Sequence, residues 1–465
     1  RKIKAKGFTQ MVEENLGFEF AAARQVLTSV AGLELLTSLM RQLELVRAIR
    51  SEVKVKQIDY GYREEQHLLP LVLNIALRRT GFTDISWLAR EERLLKKMLG
   101  FGKLPKERAV AMHLEKYGKE QLAGLKRIAA KIAFRAAITA EPGGEGYLPC
   151  DIDPSIFEQF APKREGVETT YNGKLCYTPV FAVIGRERFC IHHWLLPGRE
   201  KAVEKIDEFI KEVDEMLPKE MEREKLLFRF DAGLYSIKTV RASEKAGAYY
   251  LVKARASGAL DRMVNDNMHL EVLDLKVTDF GGEYFGEFEY TPDGWKTPRR
   301  FVFCVQVKAE DEKGQPLLIE DVRYHILATN LPKEVTPQRA FELYRARGAA
   351  EEANKEIKHD LDLERLPSQT FSVNEVFLTL GTMAYNLLIL LGQQWRDDKH
   401  GAGSAEEAPT VRRRIKTIQD YLLRSAAVVV NHARKNLLKV NAWWLEKLRP
   451  DLIQSRIGRL LPITG

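Results

Sequence analysis

Cysteine is scarce. The 465-residue chain has four (Cys150, Cys176, Cys190 and Cys304), and none forms a Cys-x-x-Cys pair. That excludes a disulfide scaffold and a zinc ribbon and fits a reducing cytoplasm. No apolar run reaches the roughly 18 residues that a membrane-spanning helix needs, so no membrane partner is expected. There is no internal repeat and no long low-complexity tract, and no signal peptide is legible at an end that starts with Arg1 rather than Met. The chain is long enough for two to four domains with sizeable cores. Hydrophobic residues make up 45% and charged residues 30%. A net charge of +8 favours a polyanionic partner, although charge alone does not identify nucleic acid.

Residues 1–140 read as a helical region for DNA binding or dimerisation. Apolar residues recur at helical spacing from Phe20 to Val53 and from Glu64 to Arg79. Thr83-Asp84 caps a third helix, which runs through Trp87 into the basic segment Arg90 to Lys97. Pro105 opens another after the turn at Gly100. Helix, Gly-rich turn and helix with scattered Lys and Arg suits a helix-turn-helix reader, and a bundle that supports dimerisation suits the same pattern equally.

After the linker Glu141 to Gly146 the apolar period changes to that of strands. Tyr147 to Asp153 is expected to be a strand with Asp151 and Asp153 on one face. Leu175 to Ile184 and Arg188 to Leu196 form a hairpin, Lys201 to Leu217 a helix, Leu226 to Phe230 a strand that delivers Asp231, Ser236 to Lys245 a helix, and Tyr249 to Ala254 a strand. Three antiparallel strands, helix, strand, helix, strand is the order of an RNase H-like fold. The expected class is therefore α/β, an RNase H-like catalytic core with a β-rich insertion and flanking helical regions. The core divides into 145–256 and 324–395. The insertion, 257–323, carries strands at Leu270 to Val277, Tyr284 to Tyr290 and Phe301 to Val307. Phe371 to Trp395 closes the core as an apolar helix, and a basic helical region, 396–465, ends the chain.

Thr336 caps, and Pro337 begins, a helix through Lys358. Tyr344, Arg347, Glu351 and Lys358 would fall within roughly a 60° arc of one face. A hydroxyl, two cations and a carboxylate on one stripe suit a phosphodiester. The carboxylate can hold a metal ion and the cations can clamp phosphate oxygens. Two metal ions on DNA need carboxylates from separate elements, and Asp153, Asp231 and Glu351 are the candidates. An Asp at a strand end is more often a turn former, so the order of all three on their elements carries the argument. His192-His193 after Cys190 lie on opposite faces of a strand and read as ordinary strand residues.

Tyr344-x-x-Arg347-x-x-x-Glu351 followed by Lys358 resembles the signature of bacterial insertion-sequence transposases with an Asp-Asp-Glu triad. Leu366 to Asn374 and Met383 to Leu387 resemble the thirteen-eighty group of that superfamily. The resemblance runs from about Gly32 to Leu391. Phe228 to Tyr235 looks like its second-aspartate motif and Asp151 to Ser155 like its first. The resemblance implies Asp153, Asp231 and Glu351 as catalytic metal ligands, with Asp151 as a supporting partner or the replacement for Asp153. It implies Arg347, Lys358 and Tyr344 on the DNA backbone and Trp295 stacked on a flipped base. It implies Mg²⁺, with Mn²⁺ substituting. The partners would be double-stranded DNA, both terminal inverted repeats and target, bound by a homodimer in a cytoplasmic, nucleoid-associated setting. The implied activity is cut-and-paste transposition by nicking, hairpin formation and strand transfer. The alternatives are a metal-dependent nuclease of the same fold without strand transfer, or a domesticated DNA-binding protein.

Overall fold

The computed structural model describes residues 25–55, 61–88, 91–170, 173–268, 282–310, 316–395, 412–432 and 435–464. The N-terminal region is helical, as expected, from Leu33 onward and in shorter pieces: Leu33–Gln42, Leu45–Glu52, Glu64–Ala76, Asp84–Leu88, Glu92–Leu99, Glu107–Leu114 and α1 (Lys119–Ala133), whereas Val26–Thr28, expected in the first helix, is a strand. The first apolar run breaks at Glu44, whose left-handed φ of 54° cannot continue a helix.

The centre is an eight-stranded mixed sheet. Its strands are β1 (Leu148–Pro154), β2 (Val180–Ile184), β3 (Phe189–Trp194), β4 (Leu226–Phe230), β5 (Tyr249–Lys253), β6 (Gly282–Tyr290), β7 (Arg299–Glu310) and β8 (Pro316–Thr329). They lie in the order β6-β7-β8-β5-β4-β1-β2-β3. β1, β4 and β5 run parallel, and β2 and β3 are antiparallel additions beside β1. All five residues of β2 and of β4 are buried, which requires cover on both faces of the sheet.

Alternation along β4 assigns the faces. Leu227 joins Leu251, Val302 and Leu327 under Ala340, Phe341 and Leu343 of α4 (Pro337–Arg345). Phe228 and Phe230 belong to the main core, with Phe209 of α2 (Ile206–Met216) and Val240 of α3 (Ile237–Lys245). Arg229 and the following Asp231 therefore share the α4 side.

Three expectations change. The β-rich insertion extends the same sheet, since β8 pairs with β5 through Leu327↔Lys253 to Thr329↔Leu251. The expected strand at Leu270 to Val277 lies outside the described residues. Leu175 to Ile184 splits at Thr178-Pro179, because proline cannot donate to the ladder. Leu175–Tyr177 joins Phe157–Glu158 and Glu168–Thr169 in a small second sheet. The C-terminal region is not all helix: Ala427–His432 and Lys435–Lys439 form a hairpin that pairs with Val26–Thr28. The run Val428-Val429-Val430 explains this, since β-branched side chains lose rotamers in a helix and fit a pleated surface.

The catalytic-helix candidate is also segmented. α4 is followed by α5 (Gly348–Lys355), a π-helical turn (Glu356–Asp360) and α6 (Phe371–Gln394). By length and composition α6 could cross a membrane, but 89% of its apolar window is buried. It packs on α1, on Glu64–Ala76 and on β3, as a core helix.

Candidate active site

β1 and β4 run side by side in parallel, with Ile152 opposite Phe230. The next residue on each chain is Asp153 and Asp231, so the two carboxylates emerge at the same edge. Asp231 is held there as an N-cap: its side chain accepts from the Gly233 backbone N–H. α4 and α5 cross above this edge. Thr336 caps α4 as expected, accepting from Arg339 N at 3.2 Å.

The chain turns at Ala346 and Arg347 between α4 and α5, with Arg347 N bonded to Tyr344 O at 2.9 Å. The four signature residues are thus not one straight stripe on one helix. The break follows from Gly348, a weak helix former, and from Arg347 reaching down to the sheet. Arg347 donates through Nη2 to Asp153 Oδ1, and Asn354 Nδ2 donates to Oδ2 at 2.7 Å. Tyr344 donates to the carbonyl of Phe230 at 3.2 Å, next to Asp231. Lys358 donates to Ile156 O at 2.7 Å and pairs with Glu364 at 3.0 Å. Tyr344, Arg347 and Lys358 therefore border the carboxylate edge, by a different route from the one expected.

Burial pushes the Asp153 carboxyl up from an ordinary 3.8 to about 6, against the attraction of Arg347 and with the help of repulsion from Asp231, Glu351 and Asp151. Burial is also the main reason that the Tyr344 hydroxyl rises to about 12; Arg347 opposes the shift, and Asp231 and Asp153 add to it. Burial pulls the Arg347 guanidinium down, but Asp153 and Tyr344 outweigh it, and its pKa ends above the usual arginine value. Glu351 is exposed on α5. Asp153 thus feels both other candidate carboxylates, which is the electrostatic demand that a divalent cation meets. Among the described residues no three His, Cys, Asp or Glu side chains are gathered into a metal-holding cluster. Both oxygens of Asp153 are occupied by Arg347 and Asn354 instead.

Asn354 was not singled out in the sequence. The available signal was its place three residues after Glu351 and seven after Arg347, on the same helical face. Asp151 lies deeper. It accepts from two of the three Arg229 guanidinium nitrogens, Nε at 2.6 Å and Nη2 at 2.8 Å, and is 4% exposed. Trp295, in the β6–β7 connection, packs on Tyr235 (5.8 Å between centroids) and Phe301 (6.5 Å). Tyr235 lies four residues beyond Asp231, so Trp295 adjoins the loop that carries that carboxylate. His192 and His193 face opposite layers, toward Glu212 and Thr379 respectively.

The Asp153 shift makes a measurable expectation. A carboxyl raised from 3.8 to about 6 holds a proton in the folded chain that the unfolded chain has lost, so stability falls as pH rises through that window. At about 1.4 kcal/mol per pH unit, roughly 3 kcal/mol is lost by neutral pH. The stability of metal-free Asp153→Asn protein relative to wild type, measured in urea, should therefore improve by about that amount between pH 4 and pH 7.5, whatever the loss of the Arg347 pair costs at both. A difference that does not change with pH would mean that Asp153 is not the titrating group.

The family model for the transposase DDE domain, group 1, matches residues 14–460. The chain belongs to that family. It is a DNA transposase, an enzyme that cuts and transfers DNA strands, and its family uses divalent metal ions. Among solved structures, the transposase is similar to a piggyBac transposase in a synaptic complex with hairpin DNA, at 10% identity and a TM-score of 0.39, over 95% of this chain and 88% of that one. No curated protein matches it.

Proposed function

We propose that the transposase moves DNA by cut-and-paste, with Asp153, Asp231 and Glu351 as the metal-holding triad. The observation that carries this is that Asp153 and Asp231 leave the paired parallel strands β1 and β4 at one edge, with Glu351 on α5 close enough to repel the Asp153 carboxyl. An RNase H-like reading of the core is supported by the strand order β3-β2-β1-β4-β5, with β2 antiparallel and β4 and β5 parallel to β1. Membership of the thirteen-eighty group rests on the Tyr344, Arg347, Glu351 and Lys358 spacing together with Leu366 to Asn374. The 257–323 segment would serve the core as an extension of its sheet, with Trp295 beside the site for a flipped base.

Bound Mg²⁺, or Mn²⁺ in its place, would neutralise charge on the attacking and leaving oxygens. For the triad to hold it, Asp153 must exchange Arg347 and Asn354 for the ion. Arg347 would then be free to take a phosphate oxygen, for which its planar fork is suited. Tyr344 and Lys358 flank the same edge and would fix the strand. Paired terminal repeats would require at least two copies of the chain, and action on chromosomal DNA would bring the protein to the nucleoid.

The clamp separates a transposase from a nuclease. A nuclease needs only to cut, whereas a transposase must keep the cut end while its 3′ hydroxyl reaches the opposite strand and then the target. Arg347→Ala and Lys358→Ala are expected to slow hairpin formation and strand joining by on the order of 10²-fold, and first-strand nicking less. Arg347→Lys should recover only in part. A denaturing gel of end-labelled terminal repeat, scored for nick, hairpin and joined product, measures all three. Equal loss in all products would confine the clamp to binding or to the first cut. Nicks without hairpin or joined strand in wild type would favour the nuclease.

A further inference from the structure

A cleft of about 1130 Å³ lies beyond the carboxylate edge, between the N-terminal helices, the loop after Lys358 and the C-terminal arm. Its wall carries five arginines, Arg78, Arg79, Arg164, Arg365 and Arg424; Arg79, Arg365 and Arg424 pair with Asp84, Asp362 and Asp420, which leaves a local excess of two positive charges (five minus three). A chain of contacts joins it to the site. Lys358 pairs with Glu364, the Glu364 carbonyl accepts from Gln159 Nε2 at 2.6 Å, and the Gln159 side chain accepts from Arg164 Nη1 at 2.8 Å. Arg164 is further fixed on Leu366 O at 2.7 Å.

The cleft is also aromatic. Trp87 lines it, with the Arg79 guanidinium 3.5 Å above its ring. Arg78 and Asp362 both line it, and their left-handed φ values of 62° and 57° end the helix Glu64–Ala76 and the π-helical turn, which turns the chain at the cleft. Arginines along a groove that also carries an aromatic ring fit the backbone and bases of a single nucleic-acid strand. The volume is close to that of small-molecule sites, about 300–1,000 Å³, and takes a few nucleotides of one strand rather than a duplex.

We propose that this cleft holds a short single-stranded run of DNA continuous with the strand at the carboxylate edge, with phosphates on Arg78 and Arg365 and a base against Trp87. The proposal rests on the transposase reading of the site and adds a route for the unpaired strand next to the cut. It assigns Arg78 and Arg365 a role in holding DNA and none in the cutting chemistry.

The test uses full-length Asp231→Asn protein in EDTA, so that binding is read without cleavage. Fluorescence anisotropy compares a blunt terminal-repeat duplex with the same duplex carrying a short oligothymidine tail. The tail should tighten binding about tenfold, and Arg78→Ala with Arg365→Ala should remove that gain. The salt dependence for the tailed probe should lose roughly 1.4 in log–log slope, at about 0.7 per single-strand phosphate contact. A 5-bromouracil tail should photocrosslink to Trp87. Both arginines are on the cleft wall, and thermal melting of the double variant checks that it folds. No tail effect in the parent protein overturns the proposal, as does equal loss on blunt and tailed probes, which would make the cleft a duplex track. Failure of wild type to cleave with metal would overturn the triad reading and leave these affinities standing.

Discussion

Asp153→Asn, Asp231→Asn and Glu351→Gln are each expected to reduce metal-dependent strand cleavage by roughly 10⁴-fold or more, and any pair of them by little beyond the worst single change. Groups that act as a unit lose their function together, so their losses do not add. The cause is the charge that three carboxylates place at one edge. Asp153 and Asp231 stand at the ends of paired parallel strands, and Glu351 lies on α5, close enough to repel Asp153. Removing one leaves too few oxygens for a divalent ion, while DNA affinity, carried by cationic side chains elsewhere, should survive. Single-turnover cleavage of a terminal-repeat substrate beside a binding titration measures both. Near-normal cleavage by one variant would remove that residue from the triad, and additive losses would mean that the three do not act on one centre.

How much of this was legible in the sequence depended on range. The start of α4 was local, a Thr cap followed by Pro337, and it stands as read. The strand–helix order around Asp153 and Asp231 was also local, and all of its elements are present. What could not be read was set by partners far along the chain. The π turn after α5 has Glu356 at its start, and that carboxylate is taken by Arg412 and by the Ile415 backbone N–H at 3.2 Å. Residues more than fifty positions away thus hold the helix at the point where it re-phases and aims Lys358 at Ile156. The C-terminal hairpin pairs with Val26–Thr28, some four hundred residues back, and no local period announces that. Asp151 and Asp153 share a face and a motif, and spacing alone left their roles open.

Burial and partners separate those two, and they lead to the largest expected stability effect. Arg229, 2% exposed, holds Asp151 through two bonds, Glu141 at 2.9 Å and the Leu343 carbonyl at 2.7 Å. One guanidinium thereby ties the linker, β1, β4 and α4 together beneath the site. Arg229→Met leaves Asp151 and Glu141 buried without their cation, and breaking such a pair costs about 3–5 kcal/mol. Replacing Asp151 by Leu as well should recover part of that loss, because the surviving charge is then gone from β1. Asp151→Asn alone should weaken folding yet keep metal-dependent cleavage at a temperature where the protein remains folded, in contrast to Asp153→Asn. Urea unfolding and cleavage measured on the same preparations decide it. If Asp151→Asn folds normally and cannot cut, Asp151 belongs in the metal set, and the Arg229 pair is a feature of the site rather than of its foundation.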